Sequence, residues 1–137
     1  MDANPAPPLL RTLVVDDEPL ARMRLRSLLE ASREPRVEVI GEAGEAQAAL
    51  QVLQDRPCDL VLLDIRMPGR DGLQLASVLR TMAHAPMVVF VTAHGHHALR
   101  AFELDAVDYL TKPVQRDRLQ AALQRAVHRR WPPGSAP

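Results

Sequence analysis

The chain has 137 residues, 47% of them hydrophobic, enough for one domain with its own core and too apolar for disorder throughout. Seventeen basic and seventeen acidic residues cancel to a formal net charge of zero, which argues against this segment gripping nucleic acid by bulk charge. A single cysteine, Cys58, excludes an intramolecular disulfide and a cysteine-only metal site, and aromatics at 3% leave the core to Leu, Val, Ala and Met.

Residues 1–9 begin with a Pro- and Ala-rich stretch and read as a flexible tail. Residues 131–137, Trp-Pro-Pro-Gly-Ser-Ala-Pro, read as a linker or second tail, leaving 10–130 as the folded unit. Leu13-Val14-Val15 predicts a first strand that runs into Asp16-Asp17-Glu18. Pro19 suits a first helical turn, and Ala21, Leu25, Leu28 and Leu29 recur as the apolar stripe of a helix. Arg22, Arg24 and Arg26 fall off that stripe, and a solvated face is favoured over a phosphate site. Val37 to Ile40 partly alternates, as an edge strand does, with Gly41 to Gly44 as the turn that ends it. Ala46, Ala49, Leu50 and Leu53 give a second helical stripe. Cys58, just before the next strand, reads as a buried inert thiol rather than a reactive one.

Leu60-Val61-Leu62-Leu63 is a short continuous apolar run that ends in Asp64 and is followed by Pro68, Gly69 and Gly72. Such a run predicts a strand buried on both faces of a parallel sheet. Gly72, Leu75, Ala76 and Leu79 form the third stripe. Val88 to Val91 is a second fully apolar run, ending at Thr92. Ala98, Ala101 and Phe102 mark a short fourth helix, and Ala106 to Leu110 a fifth, edge-like strand ending in Thr111-Lys112-Pro113. Leu119, Ala122, Leu123, Ala126 and Val127 make the fifth helix. Five strand–helix units predict an α/β fold, a flavodoxin-like (βα)5 doubly wound parallel sheet with strand order 2-1-3-4-5. That order puts the two polar strands at the edges.

One rim of such a sheet then gathers Asp16 and Asp17 from strand one, Asp64 from strand three, Thr92 from strand four and Lys112 from strand five. Three neighbouring carboxylates repel, and their pKa values rise unless a cation joins them. A few hard oxygen ligands favour Mg²⁺. A carboxylate can itself attack phosphorus and form an aspartyl phosphate, with Mg²⁺ and Lys112 supplying positive charge and Thr92 a hydrogen bond. No Walker-type glycine loop is present, so the chain is not expected to bind a nucleotide.

With these motifs the sequence resembles the receiver domains of two-component response regulators. The carriers are Val15-Asp16-Asp17-Glu18-Pro19, Leu63-Asp64-Ile65-Arg66-Met67-Pro68-Gly69, Val91-Thr92-Ala93 and Tyr109-Leu110-Thr111-Lys112-Pro113. The resemblance implies that Asp64 accepts a phosphoryl group from a sensor histidine kinase, with self-catalysed transfer and hydrolysis but no enzymatic turnover of another substrate. It implies that Asp17, Asp64 and the backbone carbonyl of Arg66 ligate Mg²⁺, with Asp16 helping through water. It implies that Lys112 pairs with the phosphoryl group after a cis peptide bond to Pro113, and that Thr92 and Tyr109 form a coupled switch. Tyr109 has core packing as its plainer reading. Arg66 and His94, two past the phosphoacceptor and two past the hydroxyl, either tune the phosphoryl lifetime or are solvated loop residues.

Leu20-Ala21-Arg22 with Arg24-Leu25-Arg26, and Ala98-Leu99-Arg100-Ala101-Phe102 before Ala106-Val107-Asp108-Tyr109-Leu110, resemble receivers attached to LytTR-type DNA-binding domains. Such an output domain would bind DNA while this segment does not, and the face of helix four, strand five and helix five would form a homodimer. Phe102 and Leu104 belong either to that face or to the core. A stand-alone receiver and a phosphorylation-independent interaction module are the alternatives. A Mg²⁺-dependent phosphatase would normally carry an Asp where Arg66 stands. His94-Gly95-His96-His97 invites a metal reading, but no cysteine or spaced acidic partner accompanies it. No apolar run approaches the about 18 residues of a membrane span, and no secretion signal is present, so a cytoplasmic setting is expected.

Overall fold

The computed structural model describes residues 9–133; the remainder of both expected tails lies outside the described residues. Five parallel strands are β1 (Leu9–Val15), β2 (Arg36–Ala43), β3 (Leu60–Leu63), β4 (Met87–Thr92) and β5 (Asp108–Thr111). They lie in the order β2-β1-β3-β4-β5, the doubly wound arrangement that the alternation of motifs predicts. The helices are α1 (Pro19–Glu30), α2 (Ala46–Asp55), α3 (Gly72–Leu79), α4 (Ala98–Glu103) and α5 (Arg116–Arg130), with one 3-10 turn (Gly95–His97) before α4.

Two cores flank the sheet, because side chains of a strand alternate between its faces. Val61 and Leu63 of β3, with Val88 and Phe90 of β4, pack under α2, α3 and α4. Leu60 and Leu62, with Val89 and Val91, pack under α1 and α5. The apolar stripes supply the covering layer: Ala49 and Leu53, Leu75 and Leu79 on one side, Leu25 and Leu29, Leu119 and Leu123 on the other. Trp131, just past α5, also packs against the second core.

Three expectations need correction. Strand β2 runs through Gly41 to Ala43 instead of breaking there, because an irregularity opposite Thr12/Leu13 absorbs one extra residue. Strand β5 begins at Asp108, two residues later than the apolar pattern suggests, and Val107 reaches β4 only by donating its N–H to Val88 O at 2.8 Å. Arg22 and Arg24 are not simply a solvated face. Their guanidiniums donate to the carbonyls of Asp16 and Val114, while Arg26 pairs with Glu30 and Glu42 at the surface. Of the two residues left open, Phe102 is 79% exposed and Leu104 is buried in the core under α4.

Candidate functional site

The strand order reverses between β1 and β3, and both strands end in carboxylates there. Asp16 follows β1 with every group but one fixed. Its N–H donates to Ala43 O at 2.9 Å, its carbonyl accepts from Arg22, and its Oδ1 accepts the Glu18 N–H at 2.9 Å. Asp64 follows β3, donates its N–H to Val15 O at 2.9 Å and accepts the Arg66 N–H on Oδ1 at 3.3 Å. Asp17 is exposed beside them. One oxygen each from Asp16, Asp17 and Asp64 lies within 4.8 Å of the others, the only such group of three potential metal ligands among the described residues.

Lys112 reaches this cluster from the end of β5, where its N–H donates to Thr92 O at 2.8 Å. Its Nζ lies 2.7 Å from Asp16 Oδ2, 3.2 Å from Asp64 Oδ2 and 3.2 Å from Glu18 Oε1. It is the one lysine in a chain with seventeen basic residues. The Lys112–Pro113 bond is cis.

The charges shift one another. Burial pushes the Asp64 carboxyl above its usual range, the Asp16 charge pushes it further, and Lys112 pulls it back. Burial works against the Lys112 ammonium, but its close pairing with Asp16, the charge of Asp64 and the hydrogen bond to Glu18 outweigh that and raise its pKa. The buried Oδ2 of Asp16 faces the ammonium as an ion-pair partner, yet no hydrogen-bond donor is aligned on it. A buried oxygen with a free lone pair, inside a hard, all-oxygen donor set, fits a small divalent cation such as Mg²⁺. Asp16, Asp17 and Asp64 are the residues that fit it.

A cleft of about 270 Å³ opens over the cluster, lined by Asp17, Glu18, Asp64, Arg66, Ala93, His94 and Lys112. Arg66 and His94 therefore both stand at its mouth. Thr92 ends β4 on the same rim but is fully buried and outside the cleft lining, and its Oγ1 accepts the His94 N–H at 3.3 Å. Tyr109 packs its ring 6.5 Å from Phe90, donates its hydroxyl to the His94 carbonyl and accepts the His97 N–H at 3.3 Å. The rings of His94 and His96 lie 5.7 Å apart and those of His96 and His97 4.1 Å apart. Cys58 sits at the opposite rim, its thiol pushed up to about 12 chiefly by burial, which makes it a poor nucleophile.

Sequence reasoning missed two supports. Glu18 joins Lys112, and its adjacency to Asp16-Asp17 was the available signal. Gly72 is more than a member of a helical stripe. A Cβ there would lie 2.8 Å from Ile65 Cα and closer still to the Asp64 carbonyl oxygen, and its N–H donates to Ile65 O at 2.7 Å. The loop from Asp64 to α3 folds so tightly that only glycine fits. Asp71 caps α3 in reciprocal hydrogen bonds with Gln74 and fixes the other end of that loop.

Known proteins are similar to this chain in sequence and in fold. The chain is 44% identical over 117 residues to the sensory transduction protein LytT of Bacillus anthracis, covering 85% of this chain and 47% of that one. It is 46% identical over 117 residues to the positive alginate biosynthesis regulatory protein of Pseudomonas aeruginosa, with the same coverage. The chain thus spans about half the length of these curated relatives. Among solved structures, the response regulatory domain of protein mrkE from Klebsiella pneumoniae superposes with a TM-score of 0.79 at 36% identity, covering 88% of this chain and 97% of that one. The signal receiver domain of the putative response regulator NarL from Mycobacterium tuberculosis gives 0.78 at 34%, covering 88% and 98%. Among the described residues no helix is long and apolar enough to cross a membrane. The response regulator receiver domain model matches residues 12–124, and with it the chain belongs to the receiver domains of two-component response regulators.

Proposed function

We propose that Asp64 accepts a phosphoryl group from a phosphohistidine of a sensor histidine kinase. A carboxylate oxygen of Asp64 bonds to phosphorus as the phosphorus–nitrogen bond breaks. The imidazole leaves with that electron pair and takes up a proton. Asp16, Asp17, Asp64 and the Arg66 backbone carbonyl would hold Mg²⁺, which when bound offsets negative charge on the phosphoryl oxygens. Lys112, released in part from Asp16, pairs with the new phosphoryl group. Thr92 turns its hydroxyl from the His94 N–H toward the phosphoryl oxygens, and the loop held by Tyr109 follows. Arg66 and His94 at the mouth set how readily water reaches the phosphorus.

The observation that carries this reading is the Lys112 ammonium within 3.2 Å of Asp64 in a pocket with two more carboxylates. Leu99 and Phe102, 73% and 79% exposed on α4, support the α4–β5–α5 face as the one that pairs two copies. In a longer regulator like the curated relatives, the joined half would be a LytTR-type DNA-binding domain that this pairing brings to its site. Incubation with Mg²⁺ and acetyl phosphate followed by intact mass tests the chemistry. The expected result is one added phosphoryl group, absent in Asp64→Asn. No addition to the wild-type chain would overturn the proposal and leave a phosphorylation-independent module.

A further inference from the structure

Helix α1 carries two arginines whose side chains end on backbone carbonyls flanking the pocket. Arg22 Nη1 lies 2.6 Å from the carbonyl of Asp16. Its Nε donates to Glu42 Oε1 at 3.2 Å, which orients the guanidinium across Gly44, where a Cβ would come to 3.3 Å from Nη1. Arg24 Nη2 lies 2.7 Å from the carbonyl of Val114, two residues past Lys112. Both carbonyls fall where the regular hydrogen-bond ladders have stopped. Asp16 lies beyond the end of β1. Val114 lies between β5 and the first helical acceptor of α5, the Gln115 carbonyl, which takes the Leu119 N–H. Carbonyls in such places need a donor from elsewhere.

We propose that Arg22 and Arg24 are positioning residues that clamp the two arms of the pocket to one rigid helix: Arg22 fixes the Asp16 arm and Arg24 fixes the loop that aims Lys112. The proposal deepens the phosphoryl-transfer reading and rests on it for its functional consequence. The geometry gives the division of labour. Asp16 has its N–H, its carbonyl and its Oδ1 fixed, so Oδ2, which faces the Lys112 ammonium at 2.7 Å, takes its direction from all three ties, and Arg22 supplies the one on the carbonyl. The Lys112 backbone is tied to Thr92 on one side, and Arg24 supplies the tie on the other. A charge-assisted hydrogen bond from a planar guanidinium suits this task because its direction is fixed along with its length. Arg26, on the same helix, pairs with Glu42 and so shares the acid that orients Arg22, whereas Arg80, the exposed residue that ends α3, belongs to neither arm.

The single lysine gives a clean readout, since lysine-selective ¹⁵N labelling reports on Lys112 alone. The variants are Arg22→Met, Arg24→Met and Arg24→Gln, with Arg80→Met at the end of α3 as the control. In cation-free protein, Arg24→Met is expected to shift and broaden the Lys112 ammonium signal, and Arg24→Gln, which keeps an N–H donor, to do so less. By titration calorimetry, Arg22→Met is expected to weaken Mg²⁺ binding on the order of tenfold, Arg24→Met much less. With acetyl phosphate at saturating Mg²⁺, Arg24→Met is expected to lower the rate of mass gain on the order of tenfold, within the hundredfold that a misplacement of about 1 Å can cost. Arg80→Met leaves all three unchanged. If Arg24→Met fails to fold, Arg24→Gln carries the same test. The clamp is overturned if Arg22→Met and Arg24→Met match Arg80→Met in both the lysine spectrum and Mg²⁺ affinity. A wild-type chain that takes up no phosphoryl group would overturn the phosphoryl-transfer reading instead, while the spectrum and calorimetry still decide the clamp.

Discussion

Thr92 and Tyr109 hold one residue between them: the Thr92 hydroxyl accepts the His94 N–H at 3.3 Å, and the Tyr109 hydroxyl donates to the His94 carbonyl. The first comes from the end of β4 and the second from β5, so the loop into α4 hangs from two neighbouring strands. Neither bond is independent of the other, because both act on the orientation of the His94 backbone. A change in one hydroxyl must be felt by the other.

That coupling gives a first prediction. Tyr109→Phe removes the donor to His94 O and the acceptor for His97 N–H, and should cost about 1 kcal/mol of stability. Amide exchange at residues 94–98 should quicken in Tyr109→Phe and in Thr92→Val, and the double variant should fall short of the sum of the two. Strictly additive effects would show that the two hydroxyls act separately.

Asp64 supplies a pH dependence. Its carboxyl is raised by burial and by the Asp16 charge, so the folded chain favours the protonated form more than the unfolded chain does. The stability this contributes is present below the unfolded carboxylate pKa and is lost as pH rises through the higher folded value. At neutral pH without divalent cations, Asp64→Asn should therefore melt a few degrees above wild type, the scale of about 1 kcal/mol in a domain this size. The gap should close as pH falls into the range where Asp64 protonates. An Asp64→Asn variant that melts below wild type under these conditions would contradict the argument.

Lys112→Met leaves the acidic cluster without its cation. In chelator the variant should lose stability, by roughly 1–3 kcal/mol for a pair of which one member is partly solvated. Added Mg²⁺ should recover more stability in the variant than in wild type, because the ion takes over a charge that the lysine no longer supplies. Thermal melts in chelator and in millimolar Mg²⁺ measure both.

Gly72→Ala places a methyl group against the backbone of Asp64 and Ile65, which cannot rotate away as a side chain would. The expected cost is about 2 kcal/mol or more by denaturant unfolding, with weaker Mg²⁺ binding as Asp64 is displaced. Gly95→Ala, where an added Cβ meets nothing within 4 Å, is the matched control.

The rim was legible in the sequence because each strand delivers its chemistry at its own end. Asp16, Asp17, Asp64 and Lys112 needed only the strand order to be brought together, and the apolar runs of β3 and β4 against the mixed ones of β2 and β5 supplied that order. Other features left no local trace. Arg24 and Val114 are 90 positions apart, and a guanidinium that ends on a distant carbonyl has the same helical position as one in water. Gly41 looks like a turn until the extra residue of β2 opposite Thr12 and Leu13 is seen. Thr92 sits where the sequence put it, but a hydroxyl rotor takes its direction from the surrounding loop, here the His94 N–H.

The two-sided burial of β3 has a cost in alignment. Leu60 and Leu62 face one core and Val61 and Leu63 the other, so sliding the strand by one position would still present four apolar side chains to apolar surroundings. Greasiness alone cannot stop that slip. The stops are polar and stand at the two ends: the Asp59 carboxylate, which takes the Arg11 N–H at 2.8 Å, and the Asp64 backbone, tied to Val15. Cutting the Asp59 tether would loosen the sheet's bookend farthest from the pocket and still blur where Asp64 comes to rest.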